Sequence, residues 1–220
     1  PLPVELHEAF ERLTRARLLE CYGLTEASAI THMNPLNGRR GAGSVGAPLP
    51  NTDARVVDPA NGVELAADQV GELMIKGPQV MAHYWGESPG DVLREGWLPT
   101  GDLAAMDGEG FFHIVGRQED VIRLPAGVVY ARDVEEVLYE NNQVLEAAVL
   151  GSVGADGALL VKAYVVLRPR AKITADELIS FCQRRLESHA APSLIEFREE
   201  LPRSATGKVV RSLLETAPAG

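Results

Sequence analysis

Residues 96–120, GWLPTGDLAAMDGEGFFHIVGRQED, constrain the fold of this chain more than any other stretch. Asp107-Gly108-Glu109-Gly110 has the composition of a hairpin turn, because glycine and aspartate tolerate the backbone that a tight reversal needs. Residues 111–115 then read as the returning strand. Ahead of the hairpin, Trp97-Leu98-Pro99-Thr100-Gly101-Asp102 is expected to be a turn that ends in a carboxylate. Behind it, Gly116-Arg117-Gln118-Glu119-Asp120 is polar and glycine-led, so one unit is expected to stop here and another to begin.

The two sides of that boundary differ in charge. The chain has 220 residues and a net charge of −10. Residues 1–120 hold 18 acidic and 9 basic side chains, whereas residues 121–220 hold 13 and 12, so the acidic excess belongs to the first part. Such a surface repels a nucleic-acid backbone, and no basic stripe offsets it, so no nucleic-acid partner is expected. A small anionic ligand would need only a few local cations. No apolar run is long enough to span a bilayer as a helix. The two cysteines, Cys21 and Cys182, are far apart and form no CxxC pair; both are expected to be buried small apolar residues in a reducing compartment, the cytoplasm. Five scattered histidines without HExxH suggest no protein-built metal site. The chain opens on Pro1 rather than methionine, as a trimmed or partial chain would.

In the first part, Leu6, Phe10 and Leu13 recur at helical spacing, which predicts a helix over 4–17. Residues 17–21 read as a short strand feeding a loop, Tyr22-Gly23-Leu24-Thr25-Glu26. An aromatic ring can cover a base, a glycine lets backbone approach a ligand closely, and a hydroxyl with a carboxylate suits phosphate-bound Mg²⁺. A plain strand-end turn accounts for five such residues about equally well. Residues 41–46, GAGSVG, match GxGxxG in letters only. They follow polar residues rather than a buried strand, and Pro48 and Pro50 forbid the helix a dinucleotide site needs. Residues 54–57 and 71–75 alternate as strands about an Asn61-Gly62 turn, and 81–85 and 91–94 are expected to be short helical turns. A small sheet or barrel is expected here, not a βαβ repeat.

The second part reads α-β-β-α-β-α: a helix with Val134, Val137 and Leu138 inward, ending at Asn141-Asn142; strands at 145–150 and 159–167; a helix after Thr174; a strand at 194–198; and a last short helix. Thr174-Ala175-Asp176-Glu177 is a capping-box sequence. The polar loop 201–208 ends in Gly207-Lys208 but is no P-loop: Pro202 stands at its first glycine and Val209 at its Ser/Thr. A solvated loop lysine is the plain reading of Lys208, although such a lysine suits a phosphate or carboxylate as a point charge. The fold class expected is α/β (α+β).

Four stretches stand in one order: CYGLTEAS, GELMIKGPQVMAHYW, the 96–120 stretch with its following Val-Ile, and LPRSATGKVVR. Together they resemble the adenylate-forming (AMP-binding) enzymes, most of all bacterial long- and medium-chain fatty-acid–CoA ligases. Each motif alone is modest; four in order are specific, and the likeness runs over about residues 17–214. The resemblance implies the C-terminal portion of a large AMP-binding domain (1–117), a hinge (118–122) and a mobile C-terminal lid (123–220). It implies an acid–thiol ligase that uses ATP, Mg²⁺ and coenzyme A, makes acyl-AMP from a fatty acid, and leaves peripheral membrane contact open. By position, Tyr22 would stack on adenine with Gly23 beside it, Thr25 would contact phosphate, and Glu26 would hold Mg²⁺. Asp102 would accept from the ribose hydroxyls and Arg117 would contact the ribose or phosphate. Asp120 would be the pivot, and Lys208 would bridge the acyl carboxylate and the α-phosphate. The family's phosphate loop is absent, so this chain by itself is expected to be inactive. The family commonly has glycine at Ala126, with Gly127 displaced by one, proline at Ala131, glutamate at Ala158 and lysine at Ala190, which bears on thioester formation. Loading of a carrier protein instead of coenzyme A, and a non-catalytic nucleotide-binding module, are the alternatives.

Overall fold

The computed structural model describes residues 2–38, 43–86, 88, 92–154 and 157–215. The chain divides into two compact units, Pro1–Glu119 and Asp120–Gly220. Among the described residues no helix is long and apolar enough to cross a membrane.

The first unit opens with helix α1, Val4–Thr14, which stops three residues short of the expected end. Arg15 takes a left-handed backbone (φ 55°), and the Thr14 hydroxyl turns back to Phe10 O at 2.8 Å. The residue that α1 buries is His7, held to the Glu20 carboxylate at 3.0 Å; Leu6, Phe10 and Leu13 are exposed. Strands β1 (Cys21–Leu24), β2 (Ala29–Met33) and β3 (Ala47–Pro48) form one antiparallel sheet. Strands β4 (Asp53–Val57), β5 (Gly71–Lys76), β6 (Leu98–Met106) and β7 (Phe112–Arg117) form an antiparallel meander in that order. β5 is central and apolar, with Gly71 to Ile75 all buried. Val45, Val56, Leu73, Ile75, Ala104, Phe112 and Ile114 make the core. A bridge between Gly46 and Phe112 joins the two sheets.

Several local expectations are corrected. Residues 98–102 are not a turn but the start of β6, because both edges of the segment find partners: Leu98 pairs with Ile75 and Asp102 with Arg117. The strand expected at 17–21 is β1, four residues later, so Tyr22 and Gly23 lie in a strand rather than a loop, and Cys21 at its start is exposed, whereas Cys182 is buried as expected. Residues 81–85 are not helical, and Arg94 makes a strand-like bridge with Trp97; Asp91 lies outside the described residues. Of the GAGSVG stretch, Gly41 and Ala42 lie outside the described residues, and the chain just beyond Gly46 forms strand β3 rather than a helix. The Asp107 hairpin forms as read, with the Asp107 carboxylate accepting from the amides of Glu109 and Phe111 at 2.9 and 3.0 Å.

The second unit begins with a hairpin that the sequence reading lacked, β8 (Val121–Leu124) and β9 (Gly127–Tyr130). Helix α2, Ala131–Tyr139, ends two residues before Asn141. Strands β10 (Val144–Val153), β11 (Leu159–Leu167) and β12 (Leu194–Arg198) form one sheet, β10 antiparallel and β12 parallel to β11. Helix α3, Ala175–Gln183, supplies the crossover that a parallel neighbour needs. Side-chain alternation gives the sheet two packed faces. One carries Ala147, Val149, Val161, Ala163 and Val165 against α2, α3 and the hairpin. The other carries Ala148, Tyr164 and Val166 against Leu201, Val209 and Leu214 of the tail. The last short helix is a single 3₁₀ turn, Arg211–Leu213.

Candidate functional site

In the first unit the sheet edges bring three of the sequence-selected side chains together. Asp102 and Arg117 face each other across β6 and β7, and Arg117 Nε lies 3.1 Å from Asp102 Oδ1. Tyr22, on β1, donates its hydroxyl to Asp102 Oδ2 at 2.6 Å. The Asp102 amide is fixed in turn by the Thr100 hydroxyl at 3.1 Å, which itself donates to Leu73 O at 2.8 Å. Asp102 is thus a buried carboxylate with one neutral and one cationic donor, the arrangement that aims such a group and compensates its burial. Burial and the adjacent Asp102 charge push the Tyr22 phenol far above its ordinary value, so Tyr22 remains a donor. The Tyr22 ring stands edge-on to His32 at 5.8 Å, and His32 leans on Phe112 at 4.7 Å.

Thr25 and Glu26 open a 3₁₀ turn, Thr25–Ala27, directly after β1. Ser28 and Ala29 then take left-handed conformations, φ 53° and 87°. Two such residues in succession, neither of them glycine, cost about 1–3 kcal/mol each, a strain found chiefly where a loop must present particular groups. Thr25 is exposed and Glu26 partly so. The Tyr84 hydroxyl donates to Glu26 Oε1 at 2.7 Å, and the Met81 amide donates to Glu26 O at 2.7 Å. That phenol, the Glu26 amide and the Arg117 charge hold the Glu26 carboxyl below its usual range. Sequence reasoning missed Tyr84, because it lies on a segment read as helical; its place in GPQVMAHYW was the available signal.

Gly23 has a packing reason of its own. A Cβ there would overlap the Ala29 carbonyl, at the irregular pairing between β1 and β2. The glycine is required by the approach of the next strand.

The donor set suits a nucleotide with a hard cation. Among the described residues no three His, Cys, Asp or Glu side chains could cage a metal. One carboxylate, Glu26, beside an exposed hydroxyl, Thr25, offers the oxygen ligands that Mg²⁺ takes when phosphate supplies the others.

The remaining two selected residues lie in the second unit. Asp120 closes a 3₁₀ turn, Gln118–Asp120, and its Oδ2 is 3.3 Å from Arg211 Nη1. Lys208 sits in a well-tied loop: Ser204 N donates to Lys208 O at 2.8 Å, the Ser204 hydroxyl accepts from Lys208 N at 3.2 Å, and Arg203 Nη1 donates to Gly207 O at 2.7 Å. The lysine is exposed on a structured loop. Gly127 also has a local reason: a Cβ there would lie 2.7 Å from His189 Nε2.

Residues 1–85 match the family described as AMP-binding enzyme, and residues 133–208 match the AMP-binding enzyme C-terminal domain. The chain is 44% identical over 215 residues to a long-chain-fatty-acid–CoA ligase of Bacillus subtilis, covering 97% of this chain and 38% of that protein. It is 42% identical over 214 residues to one of Yersinia pestis, covering 96% and 38%. The chain therefore spans about 38% of the length of these relatives. Among solved structures, ATP-bound MatB of Rhodopseudomonas palustris superposes with a TM-score of 0.92 at 34% identity, over 98% of this chain and 44% of that one. O-succinylbenzoate coenzyme A synthetase of Bacillus subtilis, in complex with AMP, gives 0.86 at 31% identity, over 100% and 45%.

Proposed function

The chain belongs to the AMP-binding enzyme family, and from that premise we propose that it is the C-terminal part of a longer acid–thiol ligase. In this reading the enzyme activates a fatty acid with ATP and passes it to coenzyme A in the cytoplasm. Residues 1–117 complete the nucleotide-binding domain, 118–122 are the hinge, and 123–220 are the mobile lid. The observation that carries the reading is the convergence of Tyr22, Asp102 and Arg117 through bonds of 2.6 and 3.1 Å, in a chain 44% identical to a fatty-acid–CoA ligase.

The first step joins two anions. A carboxylate oxygen attacks the α-phosphorus of ATP, the bond to the β-phosphate breaks, and pyrophosphate leaves. Such an attack needs charge neutralised and the reactants aligned. Asp102, held by Tyr22 and Arg117, accepts from the ribose hydroxyls and fixes the nucleoside. Tyr22 covers the base, with Gly23 in the strand behind it, and Arg117 also serves the ribose and phosphate side. Thr25 donates to phosphate, and Glu26, ionised and oriented by Tyr84, holds the cation; Mg²⁺ supplies charge neutralisation on the phosphates when bound. Lys208 contributes its ammonium to the acyl carboxylate and α-phosphate, presented by the tied loop 203–209. In the second step the coenzyme A sulfur attacks the acyl carbonyl, AMP leaves, and the thiol proton passes to solvent. Asp120 is the pivot between the two steps.

The test is carboxylate-dependent ATP–pyrophosphate exchange by the longer enzyme, with Lys208→Ala as the variant. By analogy with loss of one preorganised donor, exchange should fall by about 3 kcal/mol, roughly a hundredfold, in the first step. Unchanged exchange removes the role given to Lys208. Transfer to a pantetheine carrier but not to free coenzyme A would reassign the acceptor.

A further inference from the structure

The second unit holds a half-buried charge cluster centred on Arg211, a residue the ligase mechanism does not use. Arg211 lies three residues beyond Lys208, and its guanidinium has three separate partners. Nη2 is 2.7 Å from Glu135 Oε1 on α2, Nη1 is 3.3 Å from Asp120 Oδ2, and Nε donates to Val149 O on β10 at 3.4 Å. Glu135 Oε1 also accepts from Val149 N at 2.8 Å, so helix, strand and tail meet at one oxygen. One cation thus serves two carboxylates. Burial pushes the Glu135 carboxyl up, and the Arg211 guanidinium and the Val149 amide pull it part of the way back.

The loop before Arg211 is held at its other side too. Arg203 bonds Glu146 Oε1 at 2.7 Å and Gly207 O at 2.7 Å. Val209 and Leu214 pack on the Tyr164 face of the sheet. Three residues span at most about 11 Å of chain, so Lys208 stays within that reach of Arg211.

We propose that Arg211 is a positioning residue: it ties the base of the Lys208 loop to the Asp120 carboxylate and to Glu135, so that the lysine and the pivot residue move as one body. The inference rests on the reading of Lys208 and Asp120 given under Proposed function. Without Arg211 the loop remains attached through Arg203 and the apolar contacts, but its ammonium is no longer registered to the pivot. The nucleotide groups Tyr22, Asp102 and Arg117 are untouched.

Two measurements test this. In the 220-residue chain, Arg211→Gln should speed amide hydrogen exchange across residues 204–210 by roughly tenfold, with residues 175–183 of α3 unchanged. In the longer enzyme, Arg211→Gln should lower kcat for pyrophosphate exchange by roughly 10–100-fold, as expected of a misplaced catalytic group, with KM for ATP within about twofold of wild type. In a Lys208→Ala background it should cause no further loss, and Arg211→Lys should recover part of the rate. If Arg211→Gln does not fold, Glu135→Gln, which keeps shape and removes one carboxylate, should reproduce the kcat loss in weaker form. An unchanged kcat, a loss confined to KM, or a full further loss in the Lys208→Ala background would overturn the proposal. If Lys208→Ala itself leaves exchange intact, the functional reading falls, and the amide-exchange result still judges the clamp on its own.

Discussion

Asp102 shows how a single residue acquires its chemistry from neighbours far along the chain. Each of its two oxygens meets one partner, Tyr22, 80 residues before it, and Arg117, its cross-strand neighbour, and keeps a further lone pair for a ligand. Gly23 shows a residue whose identity packing alone already requires. Its bare Cα admits the Ala29 carbonyl of β2, so Gly23→Ala must push β1 and β2 apart. That change should cost about 1–3 kcal/mol in urea unfolding, as overpacking does, and should displace Tyr22 from Asp102. A variant of unaltered stability would mean that the irregular pairing at Tyr22 and Gly23 relaxes freely.

Elements whose signals are local were legible in the sequence, and those decided by partners were not. Helix α3 starts where its capping box says: Thr174 accepts from Glu177 N at 3.3 Å, and Thr174 N donates to Glu177 Oε2 at 2.8 Å. Thr174→Ala should cost about 1 kcal/mol, the usual loss for an N-cap, measurable as a lower urea midpoint for the second unit. Strands β11 and β12 match their expected bounds, because β11 is a nearly continuous apolar run and β12 an apolar-led segment that opens just after Pro192. The segment 98–102 misled, since Pro99, Thr100 and Gly101 are turn residues by composition. It is strand because β5 and β7 offer it hydrogen-bond partners on both sides. The β8–β9 hairpin was missed for a related reason: it is four residues a side, too short for a periodic signal.

At the scale of the whole molecule, each unit has its own core and its own response to acid. His32 in the first unit is fully buried, and burial alone lowers its pKa from 6.5 to about 4. A histidine kept neutral in the fold stabilises it fully above pH 6.5; as pH falls below that value the unfolded chain takes up a proton the fold refuses. The first unit should therefore lose about 3 kcal/mol between pH 6.5 and 4. In the second unit burial raises Glu135, whose protonation relieves a cost, while Glu177 and Glu196, held below their usual range, lose stability only as pH nears the ordinary carboxylate range, so stability should hold over the upper part of that window. Both tryptophans, Trp85 and Trp97, lie in the first unit, so their fluorescence follows it alone. The fluorescence midpoint in urea should fall between about pH 7 and 5, while amide exchange of β11 does not quicken with it. Parallel loss in both units would refute the assignment.

The sequence by itself determined the α+β character, the hairpin at Asp107, the capped start of α3, and the four ordered stretches by which the family is recognised. These come from turn chemistry, side-chain period and residue order, all of which are local. Only the tertiary structure decided that Gly23 serves a strand crossing, that Tyr84 holds Glu26, and that Arg211 gathers Asp120 and Glu135. Each of those depends on which distant backbone arrives alongside, and a buried charge or a missing Cβ takes its meaning from that neighbour.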